Sequence, residues 1–202
     1  MKSLMDTNAQ KPWHLRMLFV SGRISLDLAH TGGPGPYQKF ERLHTADDLS
    51  AWLATSPLLL NDCIVTSTDL KRAYALRWAI WKATNARRIG EVPAREDIQL
   101  LNDFALVAPL TPSLDLNAKE VTWRHPATAK AALSTIARDA IDVLAHHSTK
   151  PVQQCNNPSC PLLFVDDSHA GKRRWCSMER CGTIMKVAKY RSNKRGGSNE
   201  YS

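Results

Sequence analysis

Long apolar runs are missing from this chain of 202 residues. No stretch approaches the roughly 18 consecutive apolar residues of a membrane-spanning helix, so a helical membrane protein is not expected. The opening MKSLMDTNAQKPWHLRMLFV lacks the continuous apolar core and small-residue cleavage site of a secretory signal, and a soluble cytoplasmic protein with no membrane partner is the expectation. Glycine and proline are sparse, at 9 and 11 residues, while 43% of the chain is hydrophobic and 23% charged, which excludes wholesale disorder. Internal repeats are absent, and Arg195-Gly-Gly-Ser is the single low-complexity tract, which argues against a fibre or repeat array. There is also no nucleophile elbow, Walker loop or HExxH, so an enzyme is not expected.

Acidic residues are scarce at one end. The formal charge is +8, but residues 150–202 hold 10 Lys/Arg against 4 Asp/Glu, a local +6. Between Ser168 and Arg195 there are nine Lys/Arg and one acid, Glu179. That density suits an anionic polymer such as nucleic acid, or else a solvated tail.

Cysteine is also rare, at five residues, yet Cys155, Cys160, Cys176 and Cys181 form a C-x4-C-x15-C-x4-C cluster. Two short-range pairs deliver four tetrahedral ligands through small loops, so the spacing points to one structural Zn²⁺. Neither pair has the C-x-x-C spacing of a thioredoxin-like redox motif, and four cysteines leave no open coordination position for a substrate. His169 is read as a loop residue beside the cluster, and the distant Cys63 as a small buried side chain.

At about 100–200 residues per domain, the length fits one substantial domain with a small one appended. Arg16–Val20 and Arg23–Leu28 flank Ser21-Gly22, and the alternation of Ile24, Leu26 and Leu28 predicts a β-hairpin. Thr31-Gly-Gly-Pro-Gly-Pro36 reads as a loop. Helices are predicted from Thr45 through Leu53, from Thr68-Asp69 to about Arg88, from Ala94 to Leu106 and from Ala127 to His146. Leu114–Leu116 and Val121–Trp123 are predicted short strands, and Lys150-Pro151 marks a boundary.

In the cysteine module, Phe164-Val-Asp166 reads as a strand, and Ser177 as the N-cap of a helix from Met178 to about Asn193. Cys181, Ile184, Met185 and Ala188 share one face of that helix and are expected to pack inward. Lys186, Lys189, Arg191 and Lys194 occupy the remainder. On the long helix, Arg77 lies between Ala73 and Tyr74 on one turn and Ile80 and Trp81 on the next. A guanidinium on an apolar face needs an anion, and Asp27 on the hairpin strand is its expected partner. The pair is either structural or the lining of an effector pocket.

Cys155-x4-Cys160, Leu163-Phe-Val-Asp166 and Arg173-Arg-Trp-Cys-Ser-Met178, followed by Cys181-Gly182, resemble the CGNR zinc-finger family. The preceding segment is similar to its usual partner, the ABATE domain. That similarity rests on Ser21-Gly-Arg-Ile-Ser-Leu-Asp-Leu28 with His30-Thr31, on Ala46-Asp-Asp-Leu-Ser-Ala-Trp-Leu53, and on Asn102. The resemblance implies a bacterial stress-linked transcription regulator with a mostly helical, sensor-like domain and a zinc module that binds DNA.

The expected fold is therefore mainly α, with a small N-terminal β-hairpin or sheet and a C-terminal zinc module of knuckle, short strands and one helix. The expected division is 1–150 ABATE-like, 151–195 zinc finger and 196–202 flexible tail. Asp27, Arg77 and Asn102 are the candidate N-terminal pocket, and Lys172, Arg173, Arg174, Lys186, Lys189 and Arg191 the candidate DNA contacts. Partners left open are a small-molecule effector and a second copy of the chain. The chain departs from the family's naming motif, having Thr183-Ile184 where Asn-Arg is expected, so base reading is expected to be weak or to come from elsewhere on the helix. The alternative is a non-enzymatic zinc module that docks protein or RNA.

Overall fold

The computed structural model describes residues 18–168 and 171–196, with side chains described through 193. His169 and the 197–202 part of the expected tail lie outside the described residues. Side-chain caps set three of the helix starts. Helix α1 (Ile24–Ala29) is short; a 3₁₀ turn spans Gly35–Phe40, and α2 is Ala46–Thr55. Thr45 and Asp48 close a reciprocal capping box at the start of α2, and Thr66 and Asp69 repeat it at α3 (Ser67–Arg88), two residues ahead of the predicted Thr68 start. Arg87 and Arg88 complement the dipole where α3 ends. Helix α4 (Arg95–Ala105) and helix α5 (Ala129–Ala145), capped by Thr128, complete the bundle.

Helices α3, α4 and α5 pack on one another, and α1 is held against α3 and α5. Leu26, Leu28, Trp52, Leu76, Ile80, Leu133 and Ile136 are fully buried between them. Strands β1 (Pro112–Leu114) and β2 (Val121–Trp123) form an antiparallel hairpin with Ser113 opposite Thr122. No helix among the described residues is long and apolar enough to cross a membrane.

The mainly helical class with small sheets is observed, but the small sheet of this region is not where the alternation placed it. Residues 18–20 carry no strand, and Ile24–Ala29 is a helix in which Ser25, Leu26, Asp27, Leu28 and Ala29 are all buried. An element enclosed on every side has no solvent face, so period-two alternation says nothing about its conformation. The polar positions of this segment are used for docking. Arg23 reaches α5 through Asp139 (Nε to Oδ1, 2.8 Å) and Asp142 (2.5 Å), and the Ser25 hydroxyl donates to Asp139 Oδ2 at 2.5 Å. Asp27 Oδ1 accepts the amides of Val20 and Ser21 at 3.1 and 3.0 Å.

Beyond α5, β3 (Val152–Gln154) pairs antiparallel with β4 (Leu163–Val165), Val152 opposite Val165. All three β4 residues are buried. Leu163 and Val165 enter the helical core together with Val152, whereas Phe164 joins Leu162 and the four cysteines in a second core. The period of two thus makes β4 a wall shared by both cores. The amides of Val165 and Leu163 donate across it, to Ser21 O at 2.9 Å and to His30 Nε2 at 2.9 Å.

Candidate metal centre and basic helix

Cys155 follows β3, Cys160 closes the knuckle before β4, Cys176 follows the basic loop, and Cys181 lies in a π-type turn over Met178–Gly182. In that turn the Gly182 amide donates to Ser177 O at 3.1 Å, an i to i+5 bond. Ser177 precedes the turn without capping it through its side chain, contrary to its expected role. Helix α6 (Thr183–Gly196) continues from the turn.

The four Sγ atoms are buried and lie within 4.8 Å of one another. Cys160 and Cys176 sulfurs are 3.7 Å apart, and those of Cys176 and Cys181 are 3.6 Å apart. Thiolates at about 2.3 Å from a tetrahedral zinc ion stand about 3.8 Å from each other, whereas a disulfide needs about 2.05 Å. The spacing therefore fits a four-cysteine zinc centre. Amide donors point at the sulfurs as well: Cys176 N lies 3.5 Å from Cys155 Sγ, and Asn157 Nδ2 lies 3.4 Å from Cys181 Sγ.

Four thiolates packed this closely repel one another, and a divalent cation would offset that repulsion by attracting all four charges. Cys63, as expected, is a buried thiol outside the cluster, and burial pushes its pKa up.

The basic residues separate into two kinds. Lys172, Arg174, Lys186, Lys189 and Arg191 are exposed. Arg173 is half-buried: its guanidinium stacks 4.4 Å from the Phe164 ring centroid and donates to the carbonyls of Val20 (2.5 Å), Trp175 (3.0 Å) and Cys176. It fastens the basic loop to the zinc core instead of facing outward. The expected inward stripe on α6 is also corrected. Cys181 is buried, but Ile184 is 50% exposed and Ala188 is exposed, with Val187 and Tyr190 likewise open to solvent. The core of the small module is already filled by the cysteines, Leu162, Phe164 and Trp175, so α6 runs out past it.

The candidate N-terminal pocket does not assemble. Asp27 is taken up by backbone amides, and its partner role toward Arg77 falls to Glu41, whose Oε1 lies 2.8 Å from Arg77 Nη1 while its Oε2 pairs with Nη2. Asn102 is exposed on α4. Glu41 follows the breaker-rich loop, where no periodic pattern marks it in the sequence.

A different cavity lies at the junction of the two cores, lined by His30, Tyr37, Phe40, Arg42, Trp81 and Arg180, among others. In the sequence His30 is a polar residue just after the expected hairpin strand, and only the approach of β4 makes it an interior group.

A family model for ABATE, described as "putative stress-induced transcription regulator", matches residues 22–147. A second, for the CGNR zinc finger, matches residues 152–194. No curated protein gives a significant sequence match to the chain.

Proposed function

Because the chain belongs to the ABATE family and carries a CGNR zinc finger, we propose that it is a zinc-dependent, DNA-binding transcription regulator of the cytoplasm, a binding protein and not an enzyme, whose helical domain responds to a small effector. The observation that carries this reading is helix α6. It is rooted at Cys181 in the zinc centre and leaves Lys186, Lys189 and Arg191 exposed, with Lys172 and Arg174 exposed on the preceding loop. The local charge of +6 falls only to about +4 when the two net negative charges of a four-cysteine zinc centre are included, which still attracts a duplex. Zinc fixes the root of the helix, and the lysines and arginines position it by phosphate contacts.

The test is selection of duplex DNA from a random pool by the purified, zinc-loaded chain. Recovery of a consensus that binds more tightly than scrambled duplex supports the reading; no enrichment over input, together with no salt-dependent retention of DNA, removes it. Exposed Ile184, Val187 and Tyr190 favour a second reading, docking of a protein or RNA on α6. Enrichment of RNA over duplex DNA in the same selection is the outcome that prefers it.

A further inference from the structure

Helix α6 carries its apolar side chains where the zinc module makes no use of them. Ile184, Val187 and Tyr190 are between 42 and 68% exposed. Scattered exposed apolar residues are ordinary, but these three recur every third residue and so form one continuous stripe. Buried Cys181 and half-buried Met185, one turn apart, mark the side that faces the zinc core. By the 3.6-residue period the stripe lies on the far side and points away from the module. Its root is firmly held: Cys181 belongs to the metal centre, the Thr183 hydroxyl donates to Met178 O at 3.0 Å, and Arg173 pins the preceding loop to Phe164.

Cations border the stripe on both edges. Lys186, one turn before Tyr190, and Lys189 lie beyond one edge, and Arg191, one turn after Val187 and two after Ile184, lies along the other. All three are exposed, and no acid occurs from Thr183 to Asn193. Protein interfaces are depleted in lysine, and a helix free of acids repels a second copy of itself. The major groove of B-DNA matches the pattern better. Its phosphate walls stand about 12 Å apart, and on its floor the one apolar group is the C5-methyl of thymine. Helix α6 has 14 residues, or about 21 Å, enough to lie across that groove. Ile184 and Val187 have no polar side-chain atom. Covering a guanine or cytosine edge with them would strip water from its donors and acceptors without replacing the hydrogen bonds, whereas a methyl group loses nothing.

We propose that α6 selects thymine in the major groove, Ile184 and Val187 packing on C5-methyl groups while Lys186, Lys189 and Arg191 hold the flanking phosphates. Tyr190 extends the stripe toward the edge bordered by Lys186. The inference rests on the DNA reading given above and adds which base is read and by which side chains; its targets are A·T-rich duplexes.

The test compares binding of the full zinc-loaded chain to poly(dA-dT) and to poly(dA-dU), whose uracil differs from thymine only in lacking the C5-methyl. Loss of one buried methyl implies about fourfold weaker binding, so two contacted methyls should favour the thymine duplex about tenfold or more. Ile184→Ala with Val187→Ala, checked for retained zinc, should bring that ratio close to one; both positions are exposed and alanine favours the helix. Equal affinity of the unmodified chain for the two duplexes overturns the thymine assignment and leaves the DNA reading standing. An undiminished ratio in the double variant moves the methyl contact off these residues and overturns it too. Binding to neither duplex removes the DNA reading and this proposal with it. Tighter binding to poly(A)·poly(U) RNA, whose major groove is too narrow for a helix, rejects groove reading in favour of docking.

Discussion

Arg77 on α3 and Glu41 in the loop before α2 form a two-pronged ion pair within the helical domain. Glu41 Oε1 accepts from Arg77 Nη1 at 2.8 Å, and the Arg77 side chain is only 6% exposed. The same guanidinium donates to Thr31 Oγ1 at 3.2 Å and stacks 4.4 Å from the centroid of Tyr74. Burial acts to raise the Glu41 pKa, and the Arg77 contacts more than offset it, so the carboxyl sits below its usual range. Breaking one partner strands the other. Arg77→Ala should therefore cost about 3–5 kcal/mol in urea unfolding, whereas the double change Arg77→Met with Glu41→Leu should cost much less. A single variant as mild as the double would show that the pair is not buried in solution.

Gly32 tests the same loop from its backbone. Its φ is +144°, and an added Cβ would stand 2.8 Å from Glu41 Cα, too close for any side chain. Gly32→Ala should lose about 2–3 kcal/mol or more, with no comparable effect from Gly35→Ala, where nothing lies within 4 Å of the added carbon despite a φ of +60°. Chemical denaturation of both variants measures the difference.

Zinc removal should destabilise more than the finger. Since Val152, Leu163 and Val165 belong to the helical core, loosening β4 opens that core as well. Chelation, or Cys160→Ser, should lower the thermal midpoint of the whole chain by roughly 10 °C or more, as a loss of several kcal/mol implies. Near-ultraviolet circular dichroism should show one shifted transition. Two transitions, with the helical one unmoved, would contradict the shared wall.

Asp27 gives a pH signature. Burial, only partly offset by the Ser21 and Val20 hydrogen bonds, pushes its carboxyl up to about 6 from an ordinary 3.8. The folded state therefore keeps a proton that the unfolded chain has released between about pH 4 and pH 6. Its contribution to stability is present in full below pH 4 and is lost as pH rises through 6, a difference of about 3 kcal/mol. Asp27→Asn can keep accepting the two amides through one oxygen without ever charging. The variant should match the parent at pH 4 and exceed its stability by up to about 3 kcal/mol at pH 7 to 8, measured by urea unfolding across that range. Equal pH profiles would reject the assignment.

For DNA binding, Lys186→Ala with Lys189→Ala should flatten the plot of log affinity against log salt by about two units, since each phosphate contact contributes about 0.9. The loss should be uniform across sequences, as positioning contacts imply. Thermal stability should stay unchanged because both side chains are exposed. An unchanged slope would move the contact surface off α6.

Much of this protein is local and could be read from the chain. Thr45 with Asp48, Thr128, and the apolar spacing of α4 and α5 mark their helices because capping and periodicity act within a few residues. The four cysteines announce the zinc centre because metal spacing is a short-range constraint. Tertiary structure decided what sequence spacing cannot carry. It made Ile24–Ala29 a helix because every side of that segment is enclosed, and it gave Arg77 the partner Glu41 from a loop without periodicity. It turned Arg173 inward onto Phe164 and left Ile184 outside, because the small core was full before α6 could reach it. It also set His30 beside Arg42 and Arg180, residues as much as 150 positions apart in the chain, because β4 serves two cores at once. Alternation along a strand records that faces differ, and only the packing of distant elements determines what each face meets.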